Sequence, residues 1–279
     1  MQKALASATP TRYRIFMKRV GEGIRGLVGI SGGIGYHLAA IRYAPHLWEP
    51  FREDLARELG RRIPSPETTD LVVVGPSGGY CFDPEFFGRF RSLTAIDIDP
   101  LAGVVIRRRF SGARFIRQDF FRKLEAANWN LARWAAGVDI APGATLLFSN
   151  VLGQLPMLFG EARMRELGAG LVKAFRPGPA APFPPPMEWL SFHDRFSARL
   201  GVAPRLLLDF PVRPTSRELA DAWTEKWGNP ARPVGEIEEH EIGQWIGAAK
   251  GPFRYLPWRL DSRRTQLIEI CGSGPGSSG

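Results

Sequence analysis

The stretch Asp70-Leu71-Val72-Val73-Val74-Gly75-Pro76-Ser77-Gly78-Gly79 decides how the rest of the chain is read. A continuous apolar run, rich in β-branched residues, breaks into a glycine-rich turn. A second run, Leu93-Thr94-Ala95-Ile96, follows about twenty residues later and stops at Asp97-Ile98-Asp99-Pro100; a third, Ala113-Arg114-Phe115-Ile116-Arg117, ends at Gln118-Asp119. Short β-rich runs separated by helix-length segments predict a parallel α/β sheet. Ligands of such sheets bind beyond the carboxyl ends of the strands, where the glycines and carboxylates fall.

The chemistry of those residue types is specific. Glycines after a buried strand let the backbone turn sharply and approach a ligand, and the next helix offers free N–H groups to an anion. A carboxylate ending the second strand can accept hydrogen bonds from both hydroxyls of a ribose. A further acid after the third strand can accept from an exocyclic amine on a base. Together they describe a pocket for a nucleoside carrying a carboxylate or phosphate tail.

On these residues the chain resembles the class I S-adenosylmethionine-dependent methyltransferases, closely from about Asp70 to Asn150 and more loosely beyond. The resemblance implies an α/β fold: a seven-stranded, mostly parallel Rossmann-like sheet with helices on both faces, preceded by an N-terminal helical extension. It also implies S-adenosylmethionine as cofactor, with Gly75, Ser77 and Gly79 on the methionine part, Asp97 on the ribose and Asp119 on the adenine. Two residues depart from the family pattern: Val73 stands where an acid is usual, and Ser77 replaces the middle glycine of the loop.

Domain boundaries follow from punctuation. Pro64-Ser65-Pro66 cannot sit inside a helix, so residues 1–66 are expected to form a helical extension or lid, 67–272 the methyltransferase-like domain and 273–279 a flexible glycine-rich tail. The clearest helix runs from His46 to Ile63, with Trp48, Phe51, Leu55, Leu59 and Ile63 at spacings of three and four and Glu53 and Arg57 as an outer pair. Asp83-Pro84 and Pro100 read as helix starts, with Val104 and Val105 facing inward after the second. Ala144 to Phe148 is strand four, delivering Ser149-Asn150; Met187 to Phe192 is strand five, delivering His193-Asp194. Thr215-x-x-Glu218 is a capping box. Phe253 to Trp258 and Gln266 to Ile270 are expected as the antiparallel pair that closes the sheet, and Pro177 to Pro186 as a surface loop.

Composition narrows the function classes. The hydrophobic fraction of 44% supports a sizeable core, and Cys81 and Cys271 form no metal or C-x-x-C pattern, so no metal site is expected and a reducing, cytoplasmic setting is. The net charge of +9 invites a nucleic-acid reading, with basic residues gathered at Arg12, Arg14, Lys18, Arg19 and Arg25 and again at Arg107, Arg108, Arg109, Arg114, Arg117 and Arg122. Arginine far outnumbers lysine and no aromatic-interleaved motif accompanies the patch, so solvated helix and strand faces are preferred to RNA binding. Gly26 to Ile41 is uncharged but short of a membrane span and crowded with glycine.

Methyl transfer from a sulfonium is an in-line displacement, so residues at the strand ends near the methyl are the catalytic candidates: His193 as general base, Asp194 as its partner and Asn150 at the acceptor. Asn150 is followed by Val151-Leu152-Gly153 instead of the Pro-Pro-aromatic signature of planar-amine methylation. His240, in the acidic run Glu236 to Glu241, reads as part of a solvated helix start. A small-molecule acceptor is the leading expectation. A non-catalytic module that keeps the fold competes with it, as do a nicotinamide-dependent oxidoreductase, since Asp97 also suits a dinucleotide site, and an RNA methyltransferase.

Overall fold

A computed structural model describes residues 33–155, 161–175, 187–198, 207–227, 238–239 and 250–273. The basic cluster from Arg12 to Arg25, the Pro177 to Pro186 loop, His240 and the end of the tail lie outside the described residues.

The first strands form where the apolar runs predict them: β1 (Asp70–Val74), β2 (Ser92–Asp97), β3 (Arg114–Arg117), β4 (Thr145–Ser149) and β5 (Trp189–Ala198). Two short strands follow, β6 (Leu208–Phe210) and β7 (Glu238–Glu239), then the long hairpin of β8 (Lys250–Arg259) and β9 (Thr265–Gly272). The sheet order is β3-β2-β1-β4-β5-β9-β8-β6, with β7 paired to β5. Strands β1 to β5 are mutually parallel, and β9 runs antiparallel between β5 and β8. Seven strands thus carry the expected topology. The sheet has nine because β6 extends the β8 edge and β7 pairs with the far end of β5.

Alternation along the strands sends side chains to two cores. One face, with Val72, Val74, Leu146, Phe148 and Trp189, is covered by α5 (Phe120–Ala126), α6 (Leu131–Gly137), α7 (Glu161–Phe175) and α8 (Ser216–Trp227). The other, with Leu71, Val73, Leu147, Phe192 and Trp258, is covered by α1 (Gly33–Tyr43), α2 (Glu49–Arg62), α3 (Pro84–Phe87) and α4 (Pro100–Arg109).

The helix expected from His46 starts at Glu49, where Pro50 sets the first turn. Its apolar stripe packs on the sheet: the Phe51 ring stacks on Trp258 at 4.7 Å and meets Phe192 edge-on at 6.3 Å. Arg57 pairs with Asp54 instead of Glu53, at 2.6 Å. Helix α4 is rotated from the expected setting. Ala102, Gly103 and Ile106 face the sheet, Gly103 because the Phe115 ring leaves no room for a side chain, and Val104 is 61% exposed. The Asp83 and Asp99 caps and the Thr215/Glu218 capping box form as the sequence predicts.

Candidate functional site

The order of the strands reverses direction between β1 and β4, and the turn after β1 opens at that point. Gly75 continues the β1–β2 ladder by donating its N–H to Ile96 O at 2.8 Å, then turns with φ +71°. A Cβ there would lie 3.0 Å from Val151 Cβ, and one on Gly79 (φ +62°) would lie 2.8 Å from the Phe110 ring. Both glycines are therefore demanded by the backbone and by packing together. Ser77 holds φ +49° without being glycine, an arrangement stabilised by its N–H, which donates to Asp97 Oδ2 at 2.7 Å.

Asp97 ends β2, 9% exposed, with its other oxygen accepting the Asp99 N–H at 2.9 Å. Burial raises its pKa above the usual carboxylate value, against the opposing pull of these backbone hydrogen bonds. Ile98, the next residue, is 65% exposed. Beyond it, Gln118 N–H donates to Asp97 O at 3.0 Å, and Asp119 caps α5 with one oxygen while the residue stays exposed. The result is a ledge: an apolar side chain in the open, between a strand-end acid on one strand and a helix-cap acid on the next. Two buried polar atoms beside it, Ser77 Oγ and Gln118 Nε2, have no hydrogen-bond partner in the protein. Ile98 and Gln118 were not among the residues singled out by sequence. The available signal was an apolar residue immediately after a strand-end acid, where the chain leaves the core.

Helix α1 lies over the turn. His37 bridges the Tyr80 hydroxyl at 3.0 Å and Asp99 Oδ2 at 2.9 Å, and the half-buried Tyr36 ring lies 6.1 Å from that of Tyr80.

Asn150 follows β4 in a left-handed conformation (φ +53°), donates its N–H to Phe192 O at 2.8 Å and accepts the Asp194 N–H on Oδ1 at 2.8 Å. Asp194 is buried, its carboxylate against Gly153 and accepting from Gln266 Nε2 at 3.1 Å. These two candidates are brought together. His193 does not join them. Strand β5 was expected to end at Phe192 and runs on to Ala198, because β9 continues to pair with it after β4 has stopped. Adjacent strand residues point to opposite faces, so the imidazole is fully buried away from Asp194, 3.1 Å from Ser191 Oγ and 3.7 Å from Glu269 Oε1. Burial pushes its pKa down to about 4, so it is neutral at physiological pH. Glu269 is the hub of that buried cluster, accepting from Arg213 Nε at 2.9 Å and the Tyr255 hydroxyl at 3.0 Å, with Arg195 Nε 3.5 Å away.

Two of the basic residues near the site are committed within the fold. Arg114 donates to the carbonyls of Val138 and Asp139 at 2.7 and 2.8 Å, and Arg107 lies over the Phe115 ring. Among the described residues no group of His, Cys, Asp and Glu is arranged to hold a metal, and no helix is long and apolar enough to cross a membrane.

No family model and no curated protein matches the chain. Solved structures do. The N-methyltransferase NodS from Bradyrhizobium japonicum, in complex with S-adenosyl-L-homocysteine, is 15% identical over 85% of this chain and 97% of its own, with a TM-score of 0.41. An amino pentose methyltransferase from Micromonospora echinaspora is likewise 15% identical, over 85% and 96%, with a TM-score of 0.41. A sugar N-methyltransferase from Streptoalloteichus is 10% identical over 99% and 100%, with a TM-score of 0.42. With five parallel strands in the order β3-β2-β1-β4-β5, an antiparallel β9 between β5 and β8, and a glycine turn facing a strand-end acid, the chain has the class I methyltransferase fold.

Proposed function

We propose that the chain binds S-adenosylmethionine at the β1/β4 crevice and transfers its methyl group to a small-molecule acceptor. The observation that carries this reading is the ledge of Asp97, the open Ile98 and Asp119, with Ser77 Oγ and Gln118 Nε2 buried beside it and unpaired. These residues fit a nucleoside. Asp97 has lone pairs left for ribose hydroxyls after accepting from two backbone N–H groups, Ile98 offers an apolar face to a base, and the uncommitted oxygen of Asp119 can accept an exocyclic amine. Bound there, the cofactor supplies an electrophilic methyl group on a sulfonium.

What remains for the protein is orientation and exclusion of water. Asn150 follows the end of β4, and Asp194 lies within β5 just past Phe192, the last residue paired with β4, on the side from which an acceptor would approach. Asn150 Oδ1 is occupied by the Asp194 N–H, so the side-chain amide nitrogen is the group it offers an acceptor. Asp194, tied to Asn150 through that hydrogen bond, replaces His193 as the proposed proton acceptor for a hydroxyl or ammonium nucleophile. Helix α1, latched through His37 onto Tyr80 and Asp99, is the cover that keeps water out.

A second reading, a binding module without catalysis, is favoured by Val151, whose side chain covers Gly75 and fills space on the inner side of the turn. Parallel calorimetric titration with S-adenosylmethionine, S-adenosylhomocysteine and NAD separates the possibilities. The proposal expects binding of the first two only; binding of NAD alone would select an oxidoreductase, and binding of none would overturn the cofactor assignment. Turnover with a panel of hydroxyl and amine acceptors then distinguishes the enzyme from the module.

A further inference from the structure

A cavity of about 540 Å³ is walled by the end of α1, the first turns of α2, the Tyr80–Pro84 segment and Arg109 from the last turn of α4. None of Asp97, Ile98, Asp119 or Asn150 lines it. Its size is that of a small-molecule site, and Ala40, Ala44 and Pro45 make much of its wall apolar.

Two half-buried guanidinium groups meet there. Arg52 Nη1 donates to Ala44 O at 2.8 Å, and Arg109 Nη2 reaches Phe82 O at 3.4 Å. Arg109 Nε is buried with no hydrogen-bond partner. Neither arginine forms a salt bridge among the described residues, although most buried or half-buried arginines of this protein do. Among the described residues no acid on the lining forms a salt bridge with either: Glu49 and Glu53 are exposed, and Asp83 accepts the Phe86 N–H. Burial and the Arg52 charge both work against the charged form of Arg109. Two like charges on the lining of one partly enclosed space repel each other, and an oxyanion placed between them relieves that repulsion.

We propose that this cavity binds a small organic oxyanion, a carboxylate or a phosphate monoester on a short apolar body, at a site separate from the nucleoside ledge. The guanidinium forks supply the bidentate donors such groups take, and the alanine and proline wall covers the apolar part. The Tyr80 ring, under Arg109 at 5.4 Å and tied through its hydroxyl to His37, is part of the lining. The site does not depend on methyl transfer.

The test is calorimetric titration of the full chain with phenyl phosphate, benzoate and, as a neutral control, benzyl alcohol, each with and without S-adenosylhomocysteine. One of the two anions should bind with one-site stoichiometry, the alcohol should not, and the homocysteine should leave the affinity unchanged. Which anion binds more tightly identifies the acidic group. Arg52→Gln and Arg109→Gln should each weaken binding roughly tenfold or more, the value of one charge-assisted hydrogen bond, with Arg109→Lys in between. If Arg109→Gln is misfolded by circular dichroism, Arg52→Gln and Arg109→Lys decide. No binding of either anion at about 10 mM, a constant at which real sites of this kind are occupied, would overturn the proposal. So would affinity unchanged in the folded variants, or strict competition with S-adenosylhomocysteine.

Discussion

The Ser77 N–H donates to Asp97 Oδ2 at 2.7 Å, so the turn after β1 is clamped to the end of β2 by the carboxylate that the ledge offers to a ligand. One residue therefore shapes the loop and presents the acceptor, and its substitution should affect both. Asp97→Asn keeps the size of the side chain but removes the charge and one of the two acceptors that hold the Ser77 and Asp99 N–H groups. S-adenosylhomocysteine affinity should fall by about 1.5–3 kcal/mol, or roughly ten- to a hundredfold, with circular dichroism unchanged. Because burial raises the Asp97 pKa, the wild-type affinity should also weaken on acidification while the carboxylate range is still some way off. Stability moves the other way: an acid whose folded pKa is raised contributes most below its unfolded pKa, and the contribution is lost as pH rises through the folded one. Affinity that is unchanged in Asp97→Asn would show that the ribose is held elsewhere.

The cluster around Glu269 should set the acid limit of stability. His193 has a folded pKa of about 4, against 6.5 for a free imidazole, and Glu269 is held below its usual value despite its burial by the charges around it, His193 and Arg213 foremost. Both depressed values contribute stability above the unfolded pKa that is lost as pH falls toward the folded one. Urea midpoints should therefore drop between about pH 6.5 and pH 4, and His193→Gln should flatten that slope. Glu269→Gln should cost about 2–4 kcal/mol at neutral pH, since it leaves the half-buried Arg213 without its counter-charge. A flat profile in the wild type would mean that the imidazole is solvated.

Helix α2 is part of the core and not only a cover. Phe51 is 1% exposed and sits between Trp258 and Phe192, so it joins the N-terminal segment to the closing hairpin and to β5. Phe51→Ala should cost about 3–5 kcal/mol, read as a shift in the urea midpoint with an unchanged slope. For the same reason deletion of residues 1–63 should yield insoluble protein. A soluble, folded deletion would make α2 a dispensable cover.

The sequence was legible where local pattern and global position agree. Strands β1, β2 and β4 lie within a residue or two of their apolar runs, because a strand buried on both faces needs little beyond continuous apolar residues; the edge strand β3, with Arg114 and Arg117 exposed, lies as close to its run. Asp83, Asp99 and Thr215 were legible as caps because capping is a contact between near neighbours. The errors come from tertiary partners. His193 reads as a strand end because polar residues begin there, but Ser191, His193 and Arg195 form a buried polar row beside Glu269, a residue seventy-odd positions away whose carboxylate faces Arg195. Strand β6 is three residues long and exists through its pairing with β8. The rotation of α4 is decided by the Phe115 ring against Gly103, which no helical periodicity encodes.

Ile98 offers the cleanest separation of ligand binding from folding. At 65% exposure it contributes little to the core, so Ile98→Ala should change stability by less than about 0.5 kcal/mol. A base lying on the ledge would cover most of that side chain. Losing three of its carbons then removes about 1–2 kcal/mol of apolar contact, a roughly tenfold loss of nucleoside affinity. Ile98→Phe keeps an apolar face of greater area and should hold or improve affinity, whereas Ile98→Asp places a third carboxylate between Asp97 and Asp119 and should abolish binding of the base without unfolding the chain. The series is read by titration of adenosine and S-adenosylhomocysteine in parallel. Equal loss for both ligands assigns the contact to the base; loss for S-adenosylhomocysteine alone would move the contact to the amino-acid tail and turn the ligand end for end on the ledge.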